Sequence, residues 1–375
     1  MEIGIITLPL HTNYGGVLQA YALQKVLTHL GHNATLIDHE YRARLPMRSR
    51  YLIYIKRAFL RYVMGKDIDI FPDIAQNKPE DTKRKHTNSF IKQHIKRIAI
   101  KNVQEIKEGN FDCYVVGSDQ IWRHPYNKYF PGVSNSFLDF AKDWDVKRIA
   151  YAASFGTDDW EYNEEETELC GNLARKFDAI SVREDSAVKL CKEKFGADAI
   201  HLLDPTMLLS IDDYRKLFTS AETLKSPGNL MCYILDPNNN ARDLIEIIAK
   251  KNSLEPFHSN SRVEDENAPI EERIQPPLES WLRGFHDAEF VITDSFHACV
   301  FSIIFNKPFI VVGNKQRGLA RIRSLLSIFN LEDRLVEKAQ EANAIINNPI
   351  DWDRVNSTLN IWQEKSFGFL KEALK

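Results

Sequence analysis

Cysteine is scarce in this chain: there are five in 375 residues, at positions 113, 170, 191, 232 and 299, and none falls in a C-x-x-C pair. That excludes a disulfide framework and a zinc-ligand spacing, and it fits thiols in a reducing cytoplasm. Long apolar runs are missing too. Stretches such as Phe290-Val291-Ile292 and residues 308–313 fall far short of the ~20 residues a membrane-spanning helix needs. The opening Met1-Glu2-Ile3-Gly4-Ile5-Ile6 has no basic n-region, so no secretory signal is expected. Charge of one sign is also lacking. The formal net charge is −3, which creates no overall field for nucleic acid. No P-loop, G-x-G-x-x-G after the first strand, H-E-x-x-H or G-x-S-x-G occurs. P-loop ATP hydrolysis, dinucleotide redox chemistry, zincin proteolysis and α/β-hydrolase chemistry therefore lose support.

What remains is a globular composition, 43% hydrophobic and 27% charged, in which apolar bursts alternate with helical patterns. Residues 2–8 read as a buried strand, 14–30 as a helix and 34–38 as a second strand. Further strands are expected at 111–117, 148–154, 178–182, 199–203, 230–235, 289–293 and 308–313. Helices are expected near 79–95, 102–109, 163–176, 184–195, 240–251, 276–286, 298–306, 318–328 and 351–374. Alternation on this scale predicts an α/β fold with mostly parallel sheets and helices on both faces, in two units. The boundary is placed at 205–229, giving domains 1–205 and 206–350, with the helix 351–375 packing back on the first domain. One stretch stands apart: residues 41–66 hold eight basic residues and no acidic one, interleaved with aromatic and aliphatic side chains, which leaves about −11 on the rest of the chain.

Open α/β sheets bind ligands at the C-terminal ends of their strands, and five polar clusters occupy such places. Asn13, Tyr14, Gly15 and Gly16 follow the first strand; small residues there let backbone N–H groups approach a ligand, although Asn13 could simply cap the helix. Ser118, Asp119, Gln120 and Trp122 follow the strand ending at Gly117, and suit a sugar's hydroxyls and C–H face; the alternative is a capped turn with the indole in the core. Arg183 opens a helix after 178–182, where it can clamp a carboxylate or phosphate or merely pair on the surface. His297, beside Asp294 and Ser295, can carry a proton near neutral pH, against an ordinary structural histidine. Lys315 and Arg317 lie in a flexible loop after 308–313 that suits phosphate or is simply solvated.

Together these clusters resemble the polysaccharide pyruvyl transferase family. The resemblance rests on Asn13-Tyr14-Gly15-Gly16 with Leu18 to Leu23, on Gly117 to Trp122, on Tyr151 to Gly156, on Ser181-Val182-Arg183-Glu184, on Asp204-Pro205-Thr206, and on Thr293 to Ala298, in that order. It implies two Rossmann-like domains facing a cleft, as in GT-B glycosyltransferases. It also implies transfer of pyruvate from phosphoenolpyruvate to a sugar of a bacterial capsule or exopolysaccharide precursor, as a ketal, with release of phosphate and without a metal or further cofactor. By this likeness Arg183 matches the donor-binding arginine and His297 the catalytic histidine, with Asp119 and Asp294 as further candidates for proton transfer. Better-characterised members carry an arginine just before the histidine's neighbour, where Ser295 stands here; Ser295 is placed on the donor side with Arg183, and Lys315 or Arg317 would then supply the missing donor contact. The acceptor side is assigned to Asn13, Tyr14, Gly15, Gly16, Ser118, Gln120 and Trp122 in the first domain. Two rival readings are a GT-B glycosyltransferase using a nucleotide sugar and a non-catalytic glycan-binding relative. The expected location is the cytoplasm, without nucleic-acid partners. If the acceptor is polyprenyl-diphosphate-linked, residues 41–66 would touch the inner membrane. On a helix from Ser49, Leu52, Ile53, Lys56, Phe59, Leu60 and Val63 share a stripe that would face either lipid or the first domain.

Overall fold

A computed structural model describes residues 1–39, 45–127, 130–313 and 318–375, with backbone only at 47 and 48. The chain builds two sheets in which every strand pairing is parallel. The first contains β1 (Glu2–Ile6), β2 (Asn33–His39), β3 (Arg97–Ile100), β4 (Cys113–Val116), β5 (Lys147–Ala153), β6 (Ala179–Val182) and β7 (Ile200–His201), in the order β3-β2-β1-β4-β5-β6-β7. The second contains β8 (Leu230–Tyr233), β9 (Pro256–His258), β10 (Phe290–Thr293), β11 (Phe309–Val312) and β12 (Leu335–Val336), in the order β12-β11-β10-β8-β9.

Central strands are buried on both faces by helices, which is why β4, β8, β10 and β11 read as continuous apolar runs without alternation. The first helix, α1 (Tyr14–His29), is buried along most of its length, and Asn13 caps it by accepting from Gly16 N at 3.2 Å. The strand order reverses between β1 and β4 in one sheet and between β8 and β10 in the other. Each reversal leaves a crevice at the strand C-terminal ends. The domains are joined by more than the connecting chain. Tyr14 packs against Trp281 and Tyr233 at ring-centroid distances of 5.4 and 6.2 Å, and its hydroxyl donates to Pro276 O at 2.6 Å.

Some elements differ from expectation. β3, β9 and β12 are edge strands of two to four residues, too short to display a period. The helix expected at 102–109 is a single 3-10 turn, Val103–Glu105. The helix expected at 79–95 is two helices, Pro72–Lys83 and Lys85–His94. They break at Arg84, whose guanidinium reaches across to Leu10 O at 2.7 Å. A second helix, α2 (Met47–Tyr62), falls within the basic stretch. The final helix, Trp352–Ala373, runs along the end of the first sheet: Gln363 donates to Met207 O at 2.6 Å and Lys365 to His201 O at 3.1 Å. Among the described residues no helix is long and apolar enough to cross a membrane.

Candidate active site

The two sheet crevices face each other. Residues 117–120 follow β4 and residues 11–13 follow β1; opposite them, Leu235 and Asp236 follow β8 and residues 294–297 follow β10. A recess of about 60 Å³ lies where they meet, with Asn13, Asp119, Gln120, Ser295, His297 and Arg321 in its wall. A chamber of about 690 Å³ adjoins it, shares Asn13 and Leu235 with it, and is lined further out by Asp236, His258, Asn260 and Arg262.

Behind the recess sits a buried charge cluster. The Arg183 side chain is 1% exposed; Nη1 donates to Asp204 Oδ2 at 2.8 Å and Nη2 to Asp119 Oδ1 at 3.2 Å. Its guanidinium lies over the Phe296 ring, 4.5 Å from the centroid, and Arg321 covers the same ring at 5.6 Å. Asp204 is the hub. It accepts from Arg183, from Ser118 Oγ at 3.3 Å, and from both the backbone N–H and the hydroxyl of Thr206 at 3.0 and 2.7 Å. His297 Nε2 stands 3.5 Å from Asp204 Oδ2, a contact rather than an aligned hydrogen bond, and this nitrogen has no hydrogen-bond partner among the described residues.

Burial opposes the charge on Asp204, but His297, Arg183 and Thr206 outweigh it and hold the carboxyl well below the usual carboxylate range. Asp119 is lowered in the same way: burial works against its charge and Arg183, then His297 and Arg321, prevail. Burial likewise works against Arg183, which its carboxylate partners nonetheless raise. Arg321 has the opposite balance; burial and then Arg183 push it down to about 10, so it remains cationic at neutral pH. The cluster therefore presents fixed charges and one imidazole to a cavity at the domain seam.

Several expected site residues take other roles. Arg183, expected to bind the donor, lies behind the recess and not in its wall, with its Nη groups engaged by the buried carboxylates of Asp119 and Asp204, which it positions. Trp122 lies in the core, stacked on Phe137 at 4.7 Å with its indole N–H donating to Ser136 O at 3.0 Å. Tyr14 is equally buried, as the interdomain contact described above. Ser118 is buried against Ala152 O and Asp204, and supports the cluster from behind. Asp294 also lines the recess, and its carboxylate accepts from Leu235 N at 2.7 Å and Asp236 N at 2.9 Å, which holds the loop after β8. Asn13, Asp119, Gln120, Ser295 and His297 do line the recess together. Lys315 and Arg317 lie outside the described residues.

Two residues escaped the sequence reading as site residues. Asp204 enters the sequence reading only through the Asp204-Pro205-Thr206 motif, with no role attached; a carboxylate between an apolar strand and a proline is the available signal. Arg321 gives no signal beyond being one of two arginines, with Arg323, in an apolar helical pattern. Among the described residues no group of three or more His, Cys, Asp or Glu side chains is arranged to hold a metal ion.

Gly16 continues the turn, its N–H held by Asn13. Gly15 has a sharper requirement: a Cβ there would lie 2.0 Å from His297 Nδ1. The first turn of α1 thus abuts the histidine of the other domain, and no side chain fits between them. Gly15→Ala is expected to displace His297 and lower turnover at least about tenfold, while α1 gains helix propensity. Steady-state assay beside thermal melting checks this; full activity in a stable Gly15→Ala protein contradicts the close approach.

Two parallel α/β domains meeting at their ligand-binding edges define a GT-B-like architecture. The polysaccharide pyruvyl transferase family model matches residues 13–316, most of the chain, and the protein belongs to that family. No curated protein matches the sequence significantly. Solved structures similar in fold include a UDP-GlcNAc 2-epimerase from Neisseria meningitidis bound to UDP-GlcNAc, at 11% identity and a TM-score of 0.49, covering 100% of this chain and 99% of that one. A UGT transferase from Siraitia grosvenorii in complex with UDP has 10% identity and a TM-score of 0.45, with 100% of each chain covered. An O-GlcNAc transferase mutant from Thermobaculum terrenum has 12% identity and a TM-score of 0.42, covering 100% of this chain and 66% of that one.

Proposed function

We propose that the protein transfers pyruvate from phosphoenolpyruvate to two hydroxyls of one sugar in a surface-polysaccharide precursor carried on a polyprenyl diphosphate. The observation that carries this reading is the juxtaposition of His297 and a cation (Arg321) in the wall of one recess between the domains, backed by the buried Asp204–Arg183–Asp119 cluster. Phosphoenolpyruvate brings a carboxylate and a phosphate, and Arg321 is the described cation in the recess wall that meets them. The methylene carbon takes a proton, C2 becomes oxocarbenium-like, and the first sugar hydroxyl adds to it. The C2–O bond to phosphate then breaks, and the second hydroxyl closes the ketal. One hydroxyl proton ends on the new methyl group and the other on phosphate, so no oxidant or reductant enters. His297 carries the protons between these positions, and the Asp204 carboxylate, 3.5 Å from its Nε2, balances its charge when protonated. The adjoining chamber takes the rest of the acceptor.

The test is a thermal shift with each candidate donor, since a ligand that binds only the folded chain raises its melting temperature. Phosphoenolpyruvate is expected to stabilise the protein, and UDP to leave it unchanged. Stabilisation by UDP alone overturns the donor assignment in favour of nucleotide-sugar chemistry. In the same assay Arg321→Gln is expected to weaken phosphoenolpyruvate at least about tenfold, the scale of one lost charge-assisted contact. Unchanged donor affinity removes Arg321 from the site.

A further inference from the structure

α2 is turned with its apolar face outward. Tyr51, Leu52, Ile55, Phe59, Tyr62 and Val63 are each 55% to 78% exposed. At 100° per residue these six fall within one sector of about 120°. The inward side carries Ile53, Tyr54, Arg57 and Leu60, all half-buried. Of the apolar residues in the stripe expected from sequence, Ile53 and Leu60 turn toward the protein, while Leu52, Phe59 and Val63 face solvent. The simple alternative, an apolar stripe packed on the first domain, does not hold for this helix.

The helix is held by polar contacts, which frees its apolar side. Arg50 donates to the Tyr54 hydroxyl, which donates to Asp73, and Arg50 Nη2 lies 3.3 Å from the same carboxylate. Arg57 reaches Asp69 O, and Arg61 reaches Ile68 O at 3.2 Å. Residues 67–73 thus strap the polar side of α2 and leave aromatic and aliphatic groups outside. Lys56, beside that face, and Lys66, just beyond the helix, are both exposed.

We propose that α2 docks on an anionic lipid surface, lying in the plane of the interface with this face in the headgroup–acyl boundary. Charge complementarity decides the occupant. Residues 41–66 carry eight cations and no acid, while the remainder of the chain is about −11. An anionic surface attracts this segment and repels the rest, so the field both binds and orients the protein. A second copy meeting it face to face would bring like-charged segments together, Lys56 among their exposed residues, and is disfavoured. Tyr51 and Tyr62 suit an interface because each ring has an apolar body and a polar tip. The inference goes beyond the proposed reaction and does not depend on it.

The test is co-sedimentation of the full chain with phosphatidylglycerol-containing vesicles and with pure phosphatidylcholine vesicles. Binding is expected only to the anionic vesicles, falling steeply as salt rises. Ile55→Glu with Phe59→Glu is expected to weaken it at least about tenfold, as is Lys56→Glu with Lys66→Glu, which removes no apolar packing. Thermal melting of both variants, expected to match the parent, confirms folding. No binding to anionic vesicles, or binding unchanged by the lysine pair, overturns the proposal. So does sedimentation velocity in which Ile55→Glu with Phe59→Glu turns an oligomer into a monomer, because the face would then be a self-association surface. Vesicle binding needs neither donor nor acceptor, so its failure is distinct from failure of the pyruvyl-transfer reading.

Discussion

His297→Ala is expected to lower turnover by at least about a hundredfold, the scale on which a positioned general acid–base group contributes. The melting temperature should stay close to the parent's. His297 stands at the first turn of helix Phe296–Ile304, in the recess wall, and its Nε2 makes no hydrogen bond that the fold depends on. Its loss leaves Asp204 still held by Arg183, Ser118 and Thr206. His297→Gln keeps a polar side chain of similar reach but cannot exchange a proton near neutral pH, and it should be about as inactive as alanine. A glutamine variant with near-parent turnover would assign His297 to positioning and leave the proton transfer to another group. Donor half-saturation, measured alongside, should change far less than turnover, because Arg321 is untouched.

Asp204→Ala carries the largest expected stability cost. It removes one partner of a fully buried ion pair and strands the Arg183 guanidinium, whose side chain is 1% exposed. Breaking such a pair typically costs about 3–5 kcal/mol, a large part of a domain's total stability. The pH dependence has a definite sign. Asp204 and Asp119 both have folded-state pKa values below those of free carboxylates. Their stabilisation is complete above the unfolded value, near 4, and is lost as pH falls below it toward the folded values. Denaturant melts from neutral pH down to pH 3 should show the parent losing stability steeply below about pH 4, and Asp204→Asn losing less over that window. Equal slopes would mean that the cluster does not hold its charges as the geometry requires.

The sequence was most informative where a buried strand ends in a polar cluster. Asn13, Asp119, Gln120, Ser295 and His297 were marked as site residues for that reason, and the recess gathers them. That reasoning uses position along the chain, and it is blind to side-chain direction. Trp122 and Ser118 share a loop with Asp119 and Gln120 but turn into the core, because the run of tight turns after Gly117 sends neighbouring side chains to opposite sides. Gly117 itself leaves no room for a Cβ, which would sit 2.1 Å from Tyr151 O. Arg183 was marked for its charge; its role as the centre of an ion-pair cluster depends on Asp119 and Asp204, which are 64 and 21 residues away. Arg321 enters the site only through the packing of helix Ala320–Phe329 against the seam. Short edge strands escaped for a different reason: two to four residues cannot display a period.

The central claim is that the seam between the domains transfers pyruvate from phosphoenolpyruvate. Incubation with phosphoenolpyruvate carbon-13-labelled at C2 and a panel of galactose-, glucose- and N-acetylmannosamine-containing acceptors tests it directly, with phosphate release and the carbon-13 spectrum read together. The prediction is acceptor-dependent phosphate release, in step with a labelled ketal carbon on the sugar, both abolished in His297→Ala. Phosphate release without a ketal, or transfer only from a nucleotide sugar while the label stays in phosphoenolpyruvate, would contradict it.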